Sequence, residues 1–240
     1  MNYYDLLLAK SLGGSGGGGG GKWADDDIAK RNYTGAIDIT VDGGLANYAF
    51  NGCANITSVN APNITTIGNY AFSNCTSLTS VDMPNAVSMG AEDFIGCTSL
   101  VSVSLPLLRK VDLQNAFKNC TSLESIALPN AGLVYKYVKS GFGASFFEGC
   151  TSLKTVDGGF VASVGANCFK GCVLLDVIVL RKTDSITTLQ NINAFANMNG
   201  KAVTIYVPSS LKSNYESGTN WVNVTGATLT FANLEGSIYE

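Results

Sequence analysis

Cysteine is the residue type best suited to chemistry in this chain, and its seven copies follow a regular spacing. Six of them stand three residues after a phenylalanine: Cys53, Cys75, Cys97, Cys120, Cys150 and Cys172. A common zinc site needs a C-x-x-C pair, which the sequence lacks, and cysteines stacked about 4.8 Å apart hold their Cβ atoms too far apart for a disulfide. We therefore predict free, buried thiols in one structural column. A strained bridge between Cys168 and Cys172 is the alternative.

The sequence offers few other candidates for catalysis or for binding a metal or phosphate, and each has a simpler structural explanation. Histidine is absent, which removes the usual base at neutral pH and the nucleophiles that depend on it. Asp82 and Asp157 lie three predicted turns apart, too far for hydrolysis by paired carboxylates. The acidic trio 25–27 suits a helix cap better than a metal site. The run 16–22 lacks the Ser or Thr of a phosphate-binding loop, because Trp23 occupies that position. We predict no enzyme activity, cofactor or metal.

Composition narrows the class of protein. Apolar residues make up 46% of the chain and charged residues 14%, which is enough apolar material for a continuous core. The formal net charge is −3 and basic residues form no cluster, so nucleic acid is not an expected partner. No apolar run approaches the roughly 20 residues of a membrane span. The first residues lack a signal peptide, so we expect synthesis in the cytoplasm.

The elements that position the cysteines form a repeat. Phenylalanines recur at spacings of 22, 22, 23, 30, 22 and 26 residues: Phe50, Phe72, Phe94, Phe117, Phe147, Phe169 and Phe195. After each cysteine a segment such as Leu78 to Pro84 alternates apolar and polar residues, as in a short strand ended by proline. One such unit cannot bury its own apolar side chains, so neighbouring units must stack. We predict a right-handed solenoid of about seven 22-residue turns with a parallel β-sheet on one face. Phe195, near the end, should contribute less to stability than Phe94.

The pattern A-F-x-x-C-x-x-L-x-x-V-x-x-P, as in Ala71 to Pro84, resembles the BspA-like class of leucine-rich repeats. That resemblance implies a leucine-rich-repeat fold and a role in adhesion or partner binding rather than catalysis. The segment Ile205 to Pro208, followed by Leu211, Tyr215 and Trp221, is similar to the C-terminal cap of such arrays. Residues 3–10 also resemble the start of leaderless prophage structural proteins of gut Firmicutes.

The chain divides into five predicted parts. Residues 1–12 are a docking or disordered segment, 13–22 a glycine-rich flexible tether, and 23–48 an N-terminal cap with the first strand. Residues 49–208 form the solenoid and 209–240 its C-terminal cap, in which Trp221 to Phe231 has the pattern of a final strand or hairpin.

One segment departs strongly from the periodicity and is the first candidate binding site. Asn130 to Ser145 adds about eight residues to its turn, and insertions in solenoids form loops, often on the binding face. We predict a projecting loop that binds through Tyr135, Lys136, Tyr137, Lys139 and Phe142. A decorative hairpin without a ligand is the alternative.

A second candidate contact is the apolar end of the outward strand face, at Val177, Val179 and Tyr206. Together these features predict a non-catalytic recognition head that binds a protein or glycan, carried on a tether within a phage-derived or cell-surface assembly. The alternatives are a structural spacer or oligomerisation module, attached through its N-terminal segment, and an enzyme.

Overall fold

The chain folds as a parallel β-solenoid of about eight turns with little helix, one turn more than predicted. A computed structural model describes residues 34–40, 42–111, 113–133 and 140–240. Within these residues every strand pair is parallel, and the pairing joins positions one turn apart, such as Val59 with Val81. The predicted leucine-rich-repeat stack is therefore confirmed.

The strands are short and recur in each turn. They are β1 Gly35–Asp38, β2 Gly43–Gly44, β3 Ile56–Asn60, β4 Ile64–Thr66, β5 Ser80–Asp82, β6 Ser102–Ser104, β7 Ser125–Ala127, β8 Thr155–Asp157, β9 Ser163–Val164, β10 Val177–Val179, β11 Thr188–Leu189, β12 Lys201–Val207 and β13 Ala227–Asn233. Two 3-10 helices cover Ile192–Phe195 and Ser209–Leu211, and two α-helices follow, α1 Lys212–Ser217 and α2 Thr219–Val222.

The main strands form two sheets end to end. One sheet has the strand order β1-β3-β5-β6, and the other has the order β13-β12-β10-β8-β7. Two smaller sheets, β2-β4 and β9-β11, have two strands each and are formed by other segments of the turns. β13 pairs in parallel with β12 over all seven residues, so it is a further strand of the stack and not part of a hairpin. Within the described residues, none of the helices has the length and apolar character that crossing a membrane requires.

The phenylalanines stack along the axis of the solenoid. The rings of Phe50, Phe72, Phe94 and Phe117 follow one another at centroid distances of 5.3, 5.4 and 5.1 Å, with interplanar angles of 7° or less. Phe195 is as fully buried as Phe94 and lies between Phe169 and Trp221. The expectation that Phe195 contributes less is therefore not supported, because the cap covers its outer side.

The cysteine column is hydrogen-bonded as well as buried. All seven cysteines are buried and unbridged, as predicted. Five of them donate an S–H bond of 3.0 to 3.1 Å to the carbonyl oxygen of a phenylalanine in the preceding turn, as Cys97 does to Phe72. Cysteine suits this position because it is a small apolar side chain that still offers a donor.

Glycines before the phenylalanine allow close contact between turns. A Cβ atom built on Gly68, Gly90, Gly143 or Gly165 would lie 2.3 to 2.6 Å from the backbone of the preceding turn. None of the four has a positive φ, so glycine is needed here for the close approach of two backbones and not for a left-handed turn.

The C-terminal cap is tied to the stack by two buried aromatic residues. Tyr215 accepts a 2.7 Å hydrogen bond at its hydroxyl from the Thr187 amide, and the Trp221 indole donates a 2.8 Å bond to the Thr187 carbonyl. Thr187 itself donates through its hydroxyl to Val161 at 2.8 Å. These bonds position α1 and α2 against the last turns.

Candidate binding surfaces

The outward face of the first sheet is a row of exposed, short polar side chains. Because side chains alternate along a strand, one outward residue of β1, β3, β5 and β6 falls in register with the next: Asp38, Asn60, Asp82 and Ser104. All four are exposed, and the Asn60 amide donates a 2.9 Å hydrogen bond to Asp38. We call these four residues the acidic face.

Charge is distributed unevenly between the two halves of the solenoid. Residues 34–108 contain five acidic residues and no lysine or arginine, whereas residues 109–240 contain eleven basic and nine acidic residues. The change in charge coincides with the interruption of strand pairing between β6 and β7. The sequence prediction missed this surface, although the charge asymmetry could have been read from the sequence.

The predicted apolar patch at the other end of the face is largely covered. Val177 and Tyr206 are half-buried, and Val179 is only 1% exposed. Val179 lies in register between Asp157 and Tyr206. Val179 is therefore not an available contact, and the prediction that it is one was wrong.

The C-terminal tail makes long-range contacts on this part of the face. Arg181 donates to both carboxylate oxygens of Asp157, with a closest distance of 2.9 Å, and to the carbonyl of Tyr239 at 2.6 Å. The ring of Tyr239 lies 4.9 Å from that of Tyr206. The tail thus packs on the outward face over β10 and β12.

The structure also corrects Phe142, which was predicted to be an exposed anchor of the insertion. Its side chain is 1% exposed and its ring packs on Phe146, Phe147 and Phe169. Phe142 pairs with Val164 across the turns and so continues the inward column of that side. The sequence contained a sign of this inward position. Phe142, followed by Gly143, stands five residues before Phe147, just as Val164, followed by Gly165, stands five residues before Phe169.

The ends of the insertion are anchored in the stack. Gly132 donates its amide to the Arg109 carbonyl at 2.9 Å, and the buried Ser140 hydroxyl accepts from Val111 at 2.9 Å. Tyr135, Lys136, Tyr137 and Lys139 lie outside the described residues. Their role in binding stays a prediction.

Asp93 is a buried carboxyl group beside the phenylalanine column. It is fully buried, and its oxygens accept hydrogen bonds from the amides of Gly90 at 2.6 Å and Ala71 at 3.3 Å. Burial raises the pKa of Asp93 to about 7, although these backbone donors oppose the shift. The group is hydrogen-bonded and closed off from solvent, which is the arrangement of a structural residue.

Four of the buried cysteines are unsuited to nucleophilic chemistry in the folded protein. Burial raises the pKa values of Cys120, Cys150 and Cys168 well above the ordinary value for a thiol, and it raises the pKa of Cys172 to about 12. Because the thiolate is the reactive form, these side chains act in packing.

Comparisons with known proteins agree with this architecture. The pattern of the BspA type leucine rich repeat region matches residues 44–172 and 139–219, with six copies. A comparison with curated proteins finds no match. A leucine rich repeat protein of T. pallidum is similar in structure, with 23% identity, a TM-score of 0.52, and coverage of 82% of this chain and 86% of that one.

Two further solved structures are less similar. A leucine rich cell surface protein of Faecalibacterium prausnitzii has 16% identity and a TM-score of 0.42, with 83% of this chain and 69% of that one covered. A leucine-rich repeat protein of Bacteroides ovatus has 15% identity and a TM-score of 0.30, with 82% and 92% covered.

Proposed function

Because the chain belongs to the BspA-type leucine-rich-repeat family, we propose that it is a recognition module that binds a protein partner through the acidic face. Membership supports a protein-binding or surface role, and solenoids of this family are generally non-catalytic. The finer proposal rests on one observation. The acidic face presents Asp38 and Asp82 on exposed, regularly paired strands, in a half of the solenoid that has no basic residue between positions 34 and 108.

The chemistry of this face favours a partner segment rich in lysine or arginine. Strands about 4.8 Å apart place Asp38 and Asp82 on either side of Asn60, roughly 10 Å from each other. Two basic side chains of an extended segment can bridge that span. In the other half, exposed acids such as Glu124 and Asp176 already pair with Lys154 and Lys201, whereas residues 34–108, which include the acidic face, contain no lysine or arginine that could neutralise Asp38 and Asp82.

A labelled lysine-rich peptide tests the proposal by fluorescence anisotropy at about 0.15 M salt, where the Debye length is about 8 Å. The double variant Asp38→Asn/Asp82→Asn removes two charges from the face while keeping side-chain shape. We expect it to weaken binding roughly threefold to tenfold, because each exposed charge contact contributes about 0.2–1 kcal/mol.

A matched control changes the net charge equally at another place. Glu124→Gln/Asp176→Asn removes two acids that are 58% and 57% exposed and lie in the other half of the solenoid. It should bind the peptide like the unmodified protein. Equal weakening by both double variants, or no weakening by the first, would contradict binding at the acidic face.

The insertion is the second candidate site. Its lysines favour a negatively charged ligand, whereas the acidic face favours a positively charged one. Lys136 and Lys139 favour an acidic protein or glycan. Replacing residues 133–139 with a Gly-Ser link spares the buried Ser140 and Phe142, so the turn should keep its fold. Loss of binding to a glutamate-rich peptide in this variant, with unchanged binding of the lysine-rich one, would support the insertion as a separate site.

Attachment to a larger assembly is a proposal from sequence alone. Residues 1–22, which include the tether and the segment similar to prophage proteins, lie outside the described residues. Deleting them should leave peptide binding unchanged if the solenoid is the recognition unit. A spacer or oligomerisation module would lose its partner instead.

A further inference from the structure

Among the residues that the structure describes, the C-terminal end of the solenoid presents a free strand edge. β13 is the terminal strand of its sheet and pairs with β12 along one side only. Its seven residues, Ala227 to Asn233, include no charged residue and no proline. Natural edge strands usually carry lysine, proline or a bulge that prevents pairing with another chain. β13 has none of these features, so its edge can accept another strand.

The hydrophobic core is also incompletely closed at this end. The inward residues Leu229 and Phe231 follow Val203 and Ile205 in register, but they are half-buried where Val203 and Ile205 are fully buried. They line a groove of about 490 Å³ together with the apolar Trp221, Val222 and Val224 and the polar Glu216, Thr228 and Thr230. Val222 is 54% exposed. Terminal repeats normally present a polar outer face, so the half-buried Leu229 and Phe231 and the exposed Val222 are typical of a surface that a further layer covers.

The length of the strand indicates which layer fits. Among the described residues, the other free edges belong to strands of two to four residues, such as β1 with Gly35–Asp38. Only a second β13 offers a free edge of seven residues. Pairing β13 with itself in the antiparallel sense makes a closed two-fold dimer, whereas head-to-tail pairing with β1 would leave three residues unpaired and propagate into a fibre.

We propose that two copies of this chain associate through antiparallel pairing of β13 with β13. With Thr230 on the two-fold axis, Thr230 lies opposite its own copy and Leu229 lies opposite Phe231 of the second copy. Both pairs are compatible with the side-chain directions, because Leu229 and Phe231 face inward on the same side of the sheet while Thr230 is exposed on the other. The two end grooves then cover each other, and the five-stranded sheets join into one.

Charge at the two-fold axis gives a specific test. Thr230→Lys or Thr230→Asp places like charges directly opposite each other, which destabilises a cross-strand pair. The unmodified full chain should sediment as a dimer of the 25.1 kDa subunit at concentrations on the order of 10–100 µM. Each variant alone should raise the dissociation constant at least about tenfold, and an equimolar mixture of the two should recover dimers that contain one copy of each.

Matched substitutions separate this effect from a general one. Ser125→Lys and Ser125→Asp introduce the same charges at an exposed outward position of β7, at the other end of the same sheet, and should leave the dimer intact. Circular dichroism and melting temperature monitor folding of each variant. The proposal is overturned if the unmodified chain is a monomer throughout that concentration range. It is also overturned if the Thr230 variants dimerise normally, or if their mixture forms no more dimer than each alone.

Discussion

Replacing Asp93 with alanine is expected to remove a large part of the pH dependence of stability between about pH 5 and about pH 8. The folded-state pKa of Asp93 is raised to about 7 from an ordinary value of 3.8. The folded protein therefore holds a proton that the unfolded chain has lost in this range. The stabilisation from this group is fully present below about pH 4 and is lost as the pH rises through 7.

The size of the effect follows from the shift. One pKa unit corresponds to about 1.4 kcal/mol, so the raised pKa predicts a decrease in the free energy of unfolding on the order of 2.5 kcal/mol between about pH 5 and about pH 8. Alanine is an appropriate replacement, because Ala49, Ala71, Ala116 and Ala194 occupy the equivalent position in other turns. The Ala71 amide also keeps its bond to the Gly68 carbonyl at 3.2 Å.

Urea unfolding of the full chain at several pH values measures this difference. Asp93→Ala should show a free energy of unfolding that changes less with pH than that of the unmodified protein, by about 2.5 kcal/mol over the range. Ser73→Ala alters another buried polar side chain, which carries no titratable group, and should retain the original pH dependence. If Asp93→Ala and the unmodified protein respond to pH in the same way, Asp93 is not a protonated, buried group at neutral pH.

Three further predictions concern the core. Phe94→Ala should lower the free energy of unfolding by about 3–5 kcal/mol. Phe195→Ala should lower it by a similar amount, because both rings are fully buried between two other aromatic rings. A much smaller loss at Phe195 would mean that the cap does not cover it. Tyr215→Phe should cost about 1–2 kcal/mol by leaving the buried Thr187 amide without its acceptor, and an unchanged urea midpoint would refute that bond. All seven cysteines should resist iodoacetamide in the native protein and react after denaturation without reductant; reaction of fewer thiols would indicate a disulfide.

Periodicity alone was sufficient to predict the stack. Phenylalanine and cysteine columns are local patterns repeated at one spacing, and the stacking of identical side chains follows from the inability of one turn to bury them. The same periodicity contained the correct assignment of Phe142, but alignment on the phenylalanine pair at 146–147 placed Phe142 inside the insertion. Alignment on the apolar residue followed by glycine would have placed it in the core.

Contacts between distant segments were beyond sequence reasoning. Val179 is an outward residue by its position on the strand, and nothing local predicts its burial. The neighbouring Tyr206 and Arg181 contact Tyr239, which is 58 residues beyond Arg181 in the chain. The half-buried state of Leu229 and Phe231 was likewise unpredictable, because it depends on the absence of a following turn over β13 within the described residues.

The proposed dimer would bring two acidic faces into one assembly, so dimerisation through β13 should affect ligand binding. Antiparallel edge pairing requires a two-fold axis perpendicular to the sheet, so this axis relates the two acidic faces, which lie on the separate four-stranded sheets beyond the two ends of the joined sheet. A ligand with two basic segments could then bind both faces at once, and its apparent affinity would exceed that of a single segment by the effective concentration of the second site. Thr230→Lys should abolish this gain while leaving the single-segment affinity unchanged, whereas Asp38→Asn/Asp82→Asn should weaken both. A two-segment ligand that binds the Thr230→Lys protein as tightly as the unmodified chain would show that the two surfaces act independently.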